Sequence, residues 1–83
     1  MKIPPLSPPL EIAPGTRVTR EVGQSNMPLQ WHNGSLVVET TGLVDLSDGT
    51  SMKYTYEFTI VFGKNSNGKV AKVRKRSATY NRY

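Results

Sequence analysis

The C-terminal segment KVRKRSATYNRY (72–83) carries the residues with the clearest potential for chemistry. In an extended strand alternate side chains face the same side, so Lys72, Arg74 and Arg76 form one row. Lys75 points the other way. Cations two residues apart lie about 6.6 Å from each other, which is close to the spacing of phosphates along an extended nucleic-acid strand. The segment therefore predicts a surface that binds a polyanion.

Two tyrosines, Tyr80 and Tyr83, belong to the same segment. By strand alternation Tyr80 and Arg82 follow the row of cations on its side of the sheet. The rings of Tyr80 and Tyr83 could stack on bases, as aromatic side chains do in proteins that bind single strands. The predicted polyanion-binding residues are Lys72, Arg74, Lys75, Arg76, Tyr80 and Arg82.

The charge of the chain is distributed unevenly. Residues 1–57 carry four basic and six acidic side chains, whereas residues 58–83 carry seven basic side chains and no acidic one, for a net charge of +5. Such asymmetry is typical of a face or tail that meets a polyanion. The alternative is a solvated edge strand that its lysines and arginines protect from aggregation.

The residues that most often perform catalysis or bind metal are scarce. His32 is the only histidine, and the chain has no cysteine. A cysteine-ligated zinc site and a thiolate nucleophile are therefore excluded. His32 could form a general acid–base pair with Asp45 or Glu39 across two strands, but no spacing brings them together. We expect no enzymatic activity, no metal and no cofactor.

The clearest strand runs from Met52 to Phe62. Its aromatic residues alternate with polar ones, which is the pattern of a strand with one apolar face. This face is predicted to be the core, because an antiparallel sheet needs one apolar face to be stable. The same residues, with Trp31 capping them, could instead line a pocket or an interface. The residues of this second interpretation are Trp31, Tyr54, Tyr56, Phe58 and Phe62.

The remaining segments predict a mostly β fold, an antiparallel meander of three to four strands. Residues 35–46 form a strand in which Gly42 indicates a bulge or bend. Turns are expected at 47–50, at 23–26 and at 63–68, the last with its tight point at Asn67-Gly68. Residues 69–83 form the last strand, and residues 16–22 are expected to add an edge strand.

The first fifteen residues, MKIPPLSPPLEIAPG, form a proline-rich arm ahead of a single β domain (16–83). The Pro-Pro pairs favour polyproline II, and Leu6 and Leu10 could pack against a partner or against the domain. If residues 1–28 add little core, only about 55 residues remain to fold. A domain that small is near the lower limit for independent stability, so we expect a homodimer.

Composition also bears on where the protein works. The absence of cysteine fits the cytoplasm, and Lys2 is followed by prolines rather than by the apolar run of a secretory signal. We expect a cytoplasmic or otherwise intracellular protein that does not enter a membrane.

The order of several motifs resembles the last strands of the nuclear-transport-factor-2-like superfamily, closest to its polyketide-cyclase (SnoaL-like) branch. The motifs are Trp31, LVVET (36–40), Gly42, Asp48-Gly49, YTYEFTIVF (54–62) and NGKVAKVR (67–74). The superfamily places helices before these strands, and the corresponding region here is short and proline-rich. The resemblance thus implies a sheet whose concave face is covered by its own arm or by another copy, and it transfers no catalytic residue.

Three functions compete. The first is a non-catalytic module that presents its basic C-terminal strand to a polyanion, above all to nucleic acid or else to an acidic protein. The second is a dimerising structural or interaction protein that uses its aromatic sheet face. The third, implied by the resemblance alone, is a small-molecule pocket lined by that aromatic face, with His32 or Asp45 near its mouth. The charge distribution favours the first.

Overall fold

The structure, a computed structural model, describes residues 2–82, except for the side chain of Arg82. One antiparallel sheet contains four strands in the order β1-β2-β3-β4. Their bounds are β1 (Val18–His32), β2 (Ser35–Leu46), β3 (Thr50–Phe62) and β4 (Gly68–Arg82). The predicted mostly β meander is confirmed, with the fourth strand present. In this part of the chain no helix is long and apolar enough to cross a membrane.

The two central strands supply most of the core from one face. Along β2, and from Met52 to Ile60 in β3, the even-numbered residues are buried, and the odd-numbered ones are mostly partly exposed. Tyr56 and Phe58 are each 1% exposed and Ile60 is 0% exposed. We call the face of the even-numbered residues the inner face and the opposite one the outer face. The alternation predicted for Met52 to Phe62 is therefore the core pattern of the sheet.

The proline-rich arm covers the inner face as a second layer. Leu6 is 8% exposed and belongs to the core, and Leu10 and Ile12 pack against it. The Tyr56 hydroxyl donates a hydrogen bond to the carbonyl of Pro9 at 3.0 Å. The condition considered from the sequence, that residues 1–28 add little core, therefore does not hold for the arm. Of the two alternatives left open for its leucines, the structure shows packing against the domain.

The hairpin turns follow from residues that tolerate a positive φ. Gly49 has φ of 86°, and the Asp48 carboxylate accepts a hydrogen bond from the amide of Thr50 at 3.0 Å, so the turn predicted at 47–50 is confirmed. Between β1 and β2, Asn33 has φ of 48° and Gly34 has φ of 77°. In the loop at 63–67 the tight point is Ser66, with φ of 64°, and not Asn67-Gly68 as expected.

The turn predicted at 23–26 is wrong, because β1 continues through it. Gly23 to Asn26 pair in register with Leu43 to Thr40 of β2. The side chain of Asn26 accepts a hydrogen bond from the hydroxyl of Thr40 at 2.7 Å, and Thr40 is 0% exposed. A buried hydroxyl needs such a partner, so pairing with β2 overrides the local turn preference of these residues.

Gly42 serves close packing and not the bulge that the sequence indicated. The β2–β3 register runs without a shift past Gly42, which lies opposite Tyr54. A Cβ atom at Gly42 would lie 2.3 Å from the hydroxyl oxygen of Tyr54. The absence of a side chain therefore allows the Tyr54 ring to lie across β2 in the core.

Gly42→Ala should lower the free energy of unfolding by about 1–3 kcal/mol, because the new methyl group overpacks the Tyr54 ring. Gly23→Ala is the matched control, since its Cβ would meet no atom within 4 Å. It should change the stability by less than about 0.5 kcal/mol. Urea denaturation of both variants measures the difference, and equal effects would contradict this role of Gly42.

Candidate polyanion-binding face

Two bulges in β4 decide which of its side chains share a face. The register of β3 with β4 shifts between Thr59 and Ile60 and again between Thr55 and Tyr56. These shifts leave Ala71 and Arg76 without a residue directly opposite them. Since directly opposed residues of antiparallel strands project from the same face, the simple alternation assumed from the sequence does not hold along β4.

The row of cations on the outer face consists of Lys69, Lys72 and Arg74. They lie opposite Val61, Thr59 and Glu57, which are successive outer-face positions of β3. Neighbouring cations in the row are therefore about 6.6 Å apart along the strand direction. All three side chains are exposed. Strict alternation would place Lys69 on the inner face. The bulge at Ala71 has no signature in the sequence, so the sequence alone does not add Lys69 to the row.

Arg76, predicted as a binding residue, is held in a structural ion-pair cluster. Its guanidinium donates to the carboxylate of Glu39 at 2.9 Å and lies 3.5 Å from that of Glu57. Glu39 and Glu57 are directly opposite each other in β2 and β3. Like charges in that position repel, so the ion pairs with Arg76 reduce a repulsion that would otherwise destabilise the sheet. This role leaves Arg76 less available to a ligand than Lys72 or Arg74.

Lys75 and Tyr80 lie on the inner side of β4, opposite Tyr56 and Met52. Lys75 forms an ion pair with Glu11 of the arm at 3.0 Å. The Tyr80 hydroxyl donates to the backbone carbonyl of Glu11. The expectation that Tyr80 shares a side with the row of cations is therefore wrong, because the bulge at Arg76 reverses the alternation beyond it.

Two further predicted residues are at the C-terminus. The backbone of Arg82 pairs with Thr50, and its side chain lies outside the described part of the structure, as does Tyr83.

The carboxylates of the outer face are already engaged by arginines. Asp45 pairs with Arg20 at 2.9 Å and accepts a hydrogen bond from the hydroxyl of Ser51 at 2.8 Å. Glu39 and Glu57 are engaged by Arg76. Among the described residues, the remaining cations of this face form no ion pair. These are Lys53, Lys69, Lys72 and Arg74.

The aromatic residues predicted as a pocket or interface are mostly enclosed. Tyr54, Tyr56 and Phe58 are at most 2% exposed beneath the arm. Trp31 is 49% exposed, and its ring packs 5.4 Å from that of Phe62 at one end of the sheet. The cleft that remains between arm and sheet has a volume of about 260 Å³. It is lined by Leu6, Ser7, Pro8, Leu10, Val18, Glu21, Gln24, Val44 and Tyr54.

Burial raises the pKa of each of the two enclosed tyrosines. Desolvation raises the pKa of Tyr54 above its ordinary value of 10.0, and the charge of Glu21 raises it further. Desolvation also raises the pKa of Tyr56, an effect that the ammonium of Lys75 partly opposes. The hydrogen bond to Glu11 raises the pKa of Lys75. All three groups thus keep their protons to higher pH in the folded chain.

The acid–base pairs considered from the sequence are not assembled. His32 contacts the side chain of Asn33 at 3.0 Å in the β1–β2 turn. Asp45 lies near the far end of β2, about 30 Å along the strand from Ser35, which pairs with His32. Glu39 is engaged by Arg76. Among the described residues, no group of three His, Cys, Asp or Glu side chains could hold a metal ion.

The chain matches no protein-family model, no curated protein and no solved structure. The arrangement of its own side chains is therefore the basis for assigning a function.

Alkaline pH should destabilise the fold. Tyr54, Tyr56 and Lys75 have raised pKa values in the folded state. Their contribution to the free energy of unfolding is fully present below pH 10, where these groups are also protonated in the unfolded chain. It is lost as the pH rises through their pKa values in the folded state. The urea midpoint should be constant from about pH 7 to 9 and fall above about pH 10, as the two phenols and the ammonium lose their protons.

Tyr54→Phe/Tyr56→Phe is the variant that isolates the phenols, because it removes both titrating hydroxyls and keeps both rings. Its urea midpoint should fall less steeply above pH 10 than that of the wild type. An equal fall in both proteins would show that these phenols do not govern the alkaline transition.

Proposed function

We infer that this protein is a non-catalytic binding module whose outer face takes a polyanion, and that the polyanion is nucleic acid. The observation that carries this proposal is the row formed by Lys69, Lys72 and Arg74, three exposed cations at successive outer-face positions of the edge strand. Arginine and lysine side chains bind phosphates, and each neutralised phosphate releases counterions.

The local charge balance supports a ligand with several negative charges. Arg20 and Arg76 engage the three carboxylates of the outer face, and the row and Lys53 form no ion pair among the described residues. The strands of this face therefore carry three more cations than carboxylates. Such an excess on one side of a small domain attracts a polyanion from solution.

The face also favours recognition of phosphates over recognition of bases. Tyr80 lies on the inner side with its hydroxyl bound to the arm, and the core tyrosines are enclosed. Stacking on aromatic rings is how single-strand binders hold bases, and among the residues that the structure describes the row has no ring beside it. We therefore propose binding that depends little on nucleotide sequence, with contacts to phosphates positioning the ligand.

The proposed setting is the interior of the cell, where nucleic acid is abundant. The cysteine-free composition is in keeping with a reducing compartment.

Fluorescence anisotropy with a labelled single-stranded oligonucleotide tests the proposal. If the row neutralises three phosphates, the affinity should fall about twentyfold between about 50 and about 200 mM salt. Lys72→Ala/Arg74→Ala leaves one contact, so the same change in salt should weaken binding only about threefold. The affinity of this variant at low salt should also be well below that of the wild type, which we expect to be micromolar.

The matched control is Lys2→Ala/Lys75→Ala, which removes the same charge from the arm and the inner side of β4. It should keep the salt dependence of the wild type. Absence of binding at low salt would exclude nucleic acid. Equal losses in the two double variants would show that total charge and not the row attracts the ligand.

A further inference from the structure

The inner face holds the arm with a pattern of side chains that repeats every second residue. Leu6 is buried, and Pro4, Pro8, Leu10 and Ile12 are half-buried, whereas the odd-numbered residues between them are exposed. A polyproline II helix would repeat every third residue. The arm is thus an extended segment that presents one edge of its side chains to the sheet.

The backbone of the arm is bound by side chains of the sheet. The carbonyls of Leu6 and Pro9 accept hydrogen bonds from Gln24 at 3.3 Å and from Tyr56 at 3.0 Å. The carbonyl of Glu11 accepts one from Tyr80. Aromatic side chains and donors aimed at the carbonyls of an extended proline-rich segment are also how peptide-binding grooves recognise such ligands.

Both ends of the arm are fixed as well. Near its start, the amide of Lys2 donates to the carbonyl of Ser66 at 3.0 Å, and the amide of Gly68 donates to the carbonyl of Lys2 at 2.9 Å. Near its end, Glu11 forms the ion pair with Lys75. All of these contacts are non-covalent. The hydrogen bonds use the backbone of the arm, whereas the packing of Leu6 and the ion pair of Glu11 depend on its sequence.

A short reversal joins the arm to β1. The amide of Thr16 donates to the carbonyl of Ala13 at 3.0 Å, and Gly15 between them has φ of 84°. This reversal alone makes the arm return onto its own sheet. We propose that the inner face is a groove that also accepts the arm of a second copy of this chain, so that two copies exchange arms to form a dimer.

The arm of a second copy is the proposed occupant of the groove, because in one copy the same arm already fits the inner face. An exchanged arm keeps every apolar contact, every carbonyl hydrogen bond and the Glu11–Lys75 ion pair, and only the reversal at 13–16 changes its conformation. In a single copy the short tether gives the arm an effective concentration in the millimolar range. The monomer therefore predominates at micromolar concentration, and the dimer forms when the reversal is prevented.

Deletion of Ala13, Pro14 and Gly15 tests the exchange in the otherwise full chain. Only Thr16 and Arg17 would then join Ile12 to Val18, the first residue of β1, so the link would span at most about 11 Å and contain no residue for a reversal. The arm could not turn back onto its own sheet without displacing Ile12 or Val18. Light scattering should give a folded dimer of about twice the 9.2 kDa of the chain, at concentrations where the wild type is monomeric.

Two control variants make the outcome decisive. Replacement of the same three residues by three glycines keeps the length of the reversal and should leave a monomer. Leu6→Asp added to the deletion should abolish the dimer, because Leu6 is the most buried residue of the arm. A deletion variant that is monomeric, whether folded or unfolded, would overturn the proposal. Neither result depends on whether the outer face binds nucleic acid.

Discussion

The fold depends on the coverage of one apolar face by the proline-rich arm. A single sheet cannot exclude water from both sides of its aromatic residues, so a second layer is required for a stable core. Leu6, Leu10 and Ile12 supply that layer, and Tyr56 and Tyr80 fasten its backbone. Prolines suit this task because they restrict the unfolded arm and have no N–H group that would need an acceptor. The arm is consequently part of the domain.

Once the inner face is covered, the outer face is the one left exposed to solvent. The two bulges of β4 distribute its cations between these faces, with Lys69, Lys72 and Arg74 facing outward and Lys75 facing the arm. Arg76 at the second bulge forms ion pairs with Glu39 and Glu57. One basic segment thus divides into residues that stabilise the fold and residues to which we assign the proposed binding of a ligand. The net positive charge alone would not separate these roles.

The sequence predicted the features that local pattern controls. The alternation along β3 identified the core, and Asp48-Gly49 identified a hairpin turn because few residues adopt positive φ. The sequence did not predict long-range strand pairing. The polar stretch 23–26 was expected to be a turn, but it is part of β1 because it pairs with β2. The β4 bulges leave no local signature, so Tyr80 was assigned to the wrong side of the sheet and Lys69 was not included in the row. Whether the arm packs against its own domain or against a partner was left open, because only tertiary contacts determine where it binds.

Native-state hydrogen exchange on Leu6→Ala tests the central role of the arm most directly. Leu6 is 8% exposed and Ile3, on the same arm, is 49% exposed, so Ile3→Ala is the matched control. If the arm completes the core, Leu6→Ala should cost about 2–3 kcal/mol and lower the protection of the β2 and β3 amides about 30- to 150-fold. Ile3→Ala should leave their protection nearly unchanged. Equal protection in both variants would contradict the account.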